Sequence, residues 1–240
     1  MIRRVEEYRL GIASAITGLV VSTICISIPN VNATTGTWEA RLQSGMKAYQ
    51  EGHYVEAERE LVAALEKAEA FGPRDPRLAV TLNELGVVYR IEEKYREAES
   101  AFKRAAAIWQ QAPGLELAHA ATALNNLAVL YHQRHRDAEA IVMFRQALSI
   151  EQEVLGPKHP QVAAGLVNLA VLHYDMGEYA DTEEFYCRAL AIDEIALGPQ
   201  HPAIAPILED YAKVLRKLDR TDEAVQLEAR AKAMRERIRR

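Results

Sequence analysis

The sequence predicts an all-α chain of about five stacked helical hairpins, and three observations carry that prediction. A block of residues recurs every 42 positions, its apolar residues fall at helical spacing, and Gly-Pro links recur at the same period. Leu82-Asn83-Glu84-Leu85-Gly86-Val87-Val88-Tyr89 returns as Leu124-Asn125-Asn126-Leu127-Ala128-Val129-Leu130-Tyr131. It returns again as Leu166-Val167-Asn168-Leu169-Ala170-Val171-Leu172-His173, and more loosely over Leu208 to Leu215.

Residues 1–33 stand apart from the repeats. Arg3, Arg4 and Arg9, interrupted by Glu6 and Glu7, precede an almost uncharged run from Leu10 to Ile28; Pro29 and the Val31-Asn32-Ala33 triplet come next. This is the pattern of a secretory signal peptide with a small-residue cleavage site. The same apolar run is long enough to span a bilayer, so residues 10–28 alternatively form an uncleaved inner-membrane anchor. Either outcome places the remainder outside the cytoplasm, in the periplasm or the extracellular space. Cys25 lacks the small-residue box of a lipoprotein, and Arg3-Arg4 lacks the flanks of a twin-arginine signal. Residues 34–37 then serve as a short linker to a repeat domain over 38–240.

The repeat units are expected at about 38–72, 76–112, 116–156, 160–198 and 202–238. In each, one helix carries apolar residues at i, i+3, i+4 and i+7, as in Leu82, Leu85, Gly86 and Tyr89. The second helix carries Ala98, Phe102 and Ala105, matched by Ala140, Phe144 and Ala147, then by Thr182, Tyr186 and Ala189. Small residues opposite large ones suit two helix axes that approach closely, and enlarging the small one overpacks the contact. Short polar turns such as Glu92-Glu93-Lys94 join the helices. Gly72-Pro73-Arg74-Asp75-Pro76, Gly156-Pro157-Lys158-His159-Pro160 and Gly198-Pro199-Gln200-His201-Pro202 join the units, with Gly114 as the remnant in the link between the second and third. Gly closes one helix, Pro opens the next, and Asp75 stands where an N-cap belongs. The first unit, with Trp38, Gly45, Ala48 and Tyr54, is offset by 41 rather than 42. In the last, Glu228 replaces the large apolar residue, as a solvent-facing helix requires.

Composition narrows the function. With 49% hydrophobic and 26% charged residues, the chain has the make-up of an ordered helical protein. A formal charge of −5, with no basic block before the final residues, excludes nucleic acid as a partner. Without residues 1–33 only Cys187 remains as a thiol, so packing rather than disulfides must supply stability.

The spacing of Leu82, Leu85-Gly86, Tyr89, Ala98, Phe102 and Ala105 resembles the tetratricopeptide repeat. The 42-residue period, with L-N-N-L-A and G-P-x-H-P segments, is similar to the long variant of kinesin light chains and covers about residues 38–238. HEAT and armadillo repeats have similar periods but do not call for this Gly/Tyr/Ala/Phe spacing. The resemblance implies a right-handed αα-superhelix whose first helices line a concave groove. Carried over unit by unit, the groove residues are Asn83, Val87 and Arg90; Asn125, Val129 and His132; and Val167, Val171 and Tyr174. Leu42, Met46 and Tyr49 precede them, and Glu209, Lys213 and Arg216 come after. Asn83 and Asn125 are suited to bind the backbone of an extended peptide, and the valines to contact its apolar groups. In the opposing reading the valines pack between helices and the asparagines merely face water. If the asparagines face the groove, truncating both leaves stability almost unchanged.

The histidines have structural readings first. His159 and His201 take the place of Asp75, which makes them caps, and His132 with His135 offers at most one edge of a metal site. Phosphate loops, His-Glu-x-x-His, Gly-x-Ser-x-Gly and Cys-x-x-Cys are absent. The expectation is a non-catalytic interaction module that needs no cofactor or metal and binds a protein or peptide. Self-assembly into a structural homo-oligomer is the alternative, and a metal or enzymatic protein the remote third.

Overall fold

The computed structural model describes residues 37–238 except Pro113, so the expected signal or anchor in residues 1–33 lies outside the described residues. Ten α-helices and no strand occur among those described. They are α1 (Trp38–Gln50), α2 (Tyr54–Glu69), α3 (Pro76–Ile91), α4 (Tyr95–Trp109), α5 (Leu117–Gln133), α6 (Asp137–Leu155), α7 (Pro160–Asp175), α8 (Tyr179–Leu197), α9 (Ala205–Lys217) and α10 (Thr221–Ile238). None is long and apolar enough to cross a membrane. The chain divides into two compact units, one ending at Ile150 and the other beginning at Glu151, with the division inside α6.

In the first unit α1 packs on α2, α3 on α4, and α2 and α4 pack on the helices after them, α3 and α5. The apolar cluster runs through Trp38, Leu42, Leu61, Leu82, Leu85, Trp109, Leu124 and Ala147. Its tightest point is the crossing inside each hairpin. Phe102 is fully buried, and a Cβ added to Gly86 would lie 2.7 Å from its ring. A Cβ on Gly45 would likewise meet Leu61 at 2.6 Å. In the third repeat Ala128 and Phe144 hold the matching places, both buried.

Each first helix stops by the same device. Gly52, Glu93 and His135 adopt left-handed φ values of 79°, 60° and 56°. The next backbone N–H then reaches back to the helix: His53 to the Ala48 carbonyl at 2.8 Å, Lys94 to Tyr89 at 2.8 Å, and Arg136 to Tyr131 at 2.9 Å. This is a Schellman-type closure, which favours glycine. Glu93 and His135 adopt the same geometry without it, and His135 is therefore a turn residue.

The turn delivers a cation to a fixed place. Lys94 Nζ lies 2.7 Å from both Glu58 oxygens, and Arg136 bonds Glu99 at 2.9 Å. Each thereby ties the start of one second helix to the preceding second helix. Arg136 also stacks on Tyr131 at 4.1 Å. Burial raises the Glu99 carboxyl, but hydrogen bonds from Lys103, Arg136 and Tyr131 outweigh it and hold the group below its ordinary range.

The link between the first two repeats is fastened at both ends. Asp75 caps α3 by accepting from the Arg77 N–H at 2.9 Å, and it pairs with the Arg77 side chain. The Arg77 guanidinium covers Phe71 at 3.3 Å, and Phe71 stands edge-on to Trp38. Trp38 Nε1 donates to Thr81 Oγ1 at 2.7 Å.

In the second unit α7 packs on α8, α9 on α10, and α8 on α9. His159 Nδ1 accepts from the Gln161 N–H at 3.2 Å, and His201 Nδ1 from Ala203 at 3.3 Å, so both histidines are caps as expected. Arg220 bonds Glu183 at 2.6 Å, repeating the Lys94 and Arg136 device. Glu183 also accepts from Tyr211 Oη at 2.8 Å, and the exposed Cys187 thiol lies 3.1 Å from that hydroxyl. Glu228, the polar substitute in the last second helix, pairs with Arg216.

The contact at Gly86 generates a prediction. Gly86→Ala is expected to destabilise the chain by ~1–3 kcal/mol, because the new methyl must displace a fully enclosed phenyl ring. Urea unfolding checks this, and an unchanged midpoint would show that the ring can yield.

Candidate functional site

Every candidate residue lies on a first helix, because each sits one position after, or three positions to either side of, a core-facing residue. In the first unit these residues belong to α1, α3 and α5; in the second, to α7 and α9.

The first unit sorts them unevenly. Val87 and Val129 are buried, as is Leu42, while Met46, Tyr49, Arg90, Asn125 and His132 are half-buried. Asn83 departs from expectation. It is 1% exposed; its Nδ2 donates to Glu84 Oε1 at 3.1 Å, and its Oδ1 accepts from Asn126 Nδ2 at 3.0 Å. Its amide is thus engaged by its own helix and by α5, which corrects the reading of Asn83 as an open groove contact. The cause is the separation of neighbouring first helices, short enough for one amide to span. His132 Nδ1 lies 2.8 Å from Asp137 Oδ1, and His135 is a left-handed turn residue.

Asn126 and Glu84 are the polar residues that reading the sequence overlooked. The signal was present: the second asparagine of L-N-N-L recurs as Asn168, and both are buried. Glu84 holds the same register position but faces an α1 whose matching residue is Leu42. Burial pushes the Glu84 carboxyl up to about 7 against the opposing hydrogen bond from Asn83. On the same helix, burial lowers the Arg90 guanidinium, with Tyr49 and Tyr95 opposing that shift. The Tyr49 hydroxyl is raised, first by burial, then in opposite senses by Arg90 and Glu84.

In the second unit Val167, Val171 and Tyr174 are all half-buried, whereas Leu166, Leu169 and Leu172 beside them are buried. Tyr174 meets Tyr179 edge-on at 5.4 Å. Glu209 and Arg216 are engaged by Arg235 and Glu228. Lys213 bonds Asp210.

Two other features offer alternatives. On the second-helix side of the first unit, a cleft of about 600 Å³ is lined by Ala106, Ala107, Leu124, Leu127, Val142 and Met143. It opens beside the alanine run of α4. Among the described residues, His173, Glu178 and Asp181 could approach a common ion. His173 Nδ1 is already 2.5 Å from Glu178, and the two acids are exposed.

A hairpin of matched small and large residues, repeated every 42 positions, defines a helical repeat protein of the interaction type. The tetratricopeptide repeat family matches residues 39–111, 119–195 and 161–237, and the chain belongs to it. No curated protein matches the sequence. Among solved structures, BtubC (BKLC) from P. vanneervenii is similar at 24% identity and a TM-score of 0.73, over 84% of this chain and 80% of that one. A Podosopora anserina kinesin light chain-type protein of nearly identical TPR-like repeats matches at 20% identity and a TM-score of 0.71, over 84% and 96%. The apo form of RapI matches at 16% identity and 0.71, over 83% and 70%. At these identities the likeness is one of fold.

The asparagine pair makes stability, rather than binding alone, the readout for Asn83. Asn83→Ala leaves the Asn126 amide and the Glu84 carboxyl without their partner, so a loss of ~1–3 kcal/mol is expected. A denaturation midpoint unchanged within about 0.5 kcal/mol would instead restore Asn83 to the surface.

Glu84 generates a pH dependence. An unfolded glutamate releases its proton near 4.5, whereas the folded chain keeps it to about 7. Between those values the folded state binds more protons, so stability falls as pH rises through the window and stays lost above it. Thermal unfolding from pH 4 to 8 should therefore show a decline in the wild type that Glu84→Gln removes; parallel curves would refute the assignment.

Proposed function

We propose that this chain is a non-catalytic protein-interaction module that holds a peptide segment or helix of a partner protein against its first helices. Membership of the tetratricopeptide family supports an interaction scaffold in general terms. The observation that carries the finer reading is that first-helix residues of each unit are left partly open. Val167, Val171 and Tyr174 in one unit, and Arg90, Asn125 and His132 in the other, stay half-buried amid otherwise enclosed cores. Apolar groups left partly open in one unit, and polar ones in the other, are each suited to a bound peptide.

Export belongs to the same proposal. It rests on the basic, apolar and small-residue order of residues 1–33, with residues 10–28 as the membrane attachment if the segment is retained. N-terminal sequencing of the protein from its native envelope distinguishes a cleaved signal from an anchor.

The binding face is tested by affinity capture from that envelope with wild-type chain and with Val167→Glu/Val171→Glu. Loss of the captured protein, with the thermal transition retained, is expected. Equal capture by a folded variant would remove this face from the site.

A further inference from the structure

The second, third and fifth repeats set a cation at the start of the second helix, and the fourth does not. Lys94, Arg136 and Arg220 share one register position of the 42-residue repeat, and Glu178 fills it in the fourth. The acid of the tie changes with it, since Ile141 holds the register place of Glu99 and Glu183. The residue before the turn changes too, from Tyr89 and Tyr131 to His173. In the third repeat the cation joins its two neighbours: Arg136 covers the Tyr131 ring at 4.1 Å and bonds Glu139 at 2.6 Å. In the fifth, Arg220 bonds Glu223 at 2.6 Å. The matching trio of the fourth repeat is His173, Glu178 and Asp181, an imidazole and two carboxylates.

Backbone geometry holds the three together. Gly177 is left-handed at φ 80°, and the Glu178 N–H donates to the His173 carbonyl at 2.9 Å. The Glu178 carbonyl accepts from the Thr182 N–H at 3.0 Å, which starts α8 and sets Asp181 three positions after Glu178 on the same side of the turn. One ligating atom from each of the three residues lies within 4.8 Å of the others. His173 is only 5% exposed, and its ring packs on Phe185 at 5.1 Å. Its Nε2 is buried with no hydrogen-bond partner, whereas Nδ1 faces Glu178 at 2.5 Å. The imidazole is therefore a fixed group with one nitrogen turned toward the carboxylates. Among the described residues no Lys or Arg pairs with either acid. Two carboxylates held this close favour a positive charge between them.

We infer that His173, Glu178 and Asp181 bind a divalent metal ion of the zinc class, which brings from solution the positive charge that Lys94, Arg136 and Arg220 provide as side chains. One imidazole nitrogen with two carboxylate oxygens is a donor set for zinc, whereas magnesium and calcium take oxygen alone. Ligand atoms of one zinc ion stand about 2.0–2.2 Å from it, and so about 3.3 Å from one another at tetrahedral angles. Both acids are exposed, so Asp181 can swing inward and Glu178 can draw back from its present contact while the buried imidazole stays in place. Water completes the coordination. The ion fastens the end of α7 to the first turn of α8, within one hairpin rather than between second helices.

Calorimetric titration of zinc chloride into the metal-free full-length chain tests this. Saturable binding of a single ion per chain is expected, with a rise in the thermal transition. Glu178→Gln and Asp181→Asn, both at exposed positions, should each bind at least about tenfold more weakly. Glu178→Arg gives the fourth repeat the residue type of its neighbours; it should abolish zinc binding and keep a cooperative transition. Cys187→Ser should bind as wild type does, and loss of binding there would move the ion to the exposed thiol and overturn the trio. No saturable binding by wild type would leave an ordinary histidine–glutamate hydrogen bond and overturn the site. Equal zinc binding by Asp181→Asn and Glu178→Arg would show an adventitious ion only, with the same consequence.

Discussion

The close crossing of the two helices in each hairpin governs the turns between them and the ties that run from one repeat to the next. Gly86 against Phe102, and Ala128 against Phe144, bring the axes near enough for an aromatic ring to fill the seam. At that separation the connection has room for only a few residues, so each first helix ends in a left-handed residue. Gly52 and Gly177 adopt it freely; Glu93, His135 and Asp219 adopt it against their steric preference. Packing inside the hairpin outweighs that local cost. The same tight turn sets Lys94, Arg136 and Arg220 beside Glu58, Glu99 and Glu183, turning a local closure into a tie between successive second helices.

The first helices are joined differently. Where second helices are tied by charge, neighbouring first helices of the first unit meet through neutral donors and acceptors, Trp38 with Thr81 and Asn83 with Asn126. These contacts are short and buried, so they hold the layer in register without an uncompensated charge. Glu84 interrupts this neutral layer. It occupies the register position of Asn126, but Leu42 occupies the matching place on α1, and its carboxyl turns back to its own neighbour. The register position that bonds the neighbouring first helix in one repeat thus bonds only within its own helix in another.

Buried and partly open positions therefore alternate along the same helices. Leu82 and Leu85 are core, Asn83 is a buried tie, and Glu84 and Arg90 remain half-buried. A helical turn of 3.6 residues permits this, since successive positions point about 100° apart. The valines divide along similar lines, with Val87 and Val129 enclosed and Val167 and Val171 partly open.

The periodic sequence alone determined the helical hairpins, the core positions, the small residue at each close crossing and the caps at Asp75, His159 and His201. Those features depend on contacts within a repeat or on backbone geometry within a few residues, and both leave a regular mark on the sequence. Tertiary structure decided the fate of the polar residues: that Asn83 is consumed by Asn126, that Lys94 meets Glu58, and that Glu84 and Arg90 are left without counter-charges. Each outcome depends on the distance and rotation between helices some 40 residues apart, where an ångström separates a hydrogen bond from an open side chain, and no residue pattern encodes that distance.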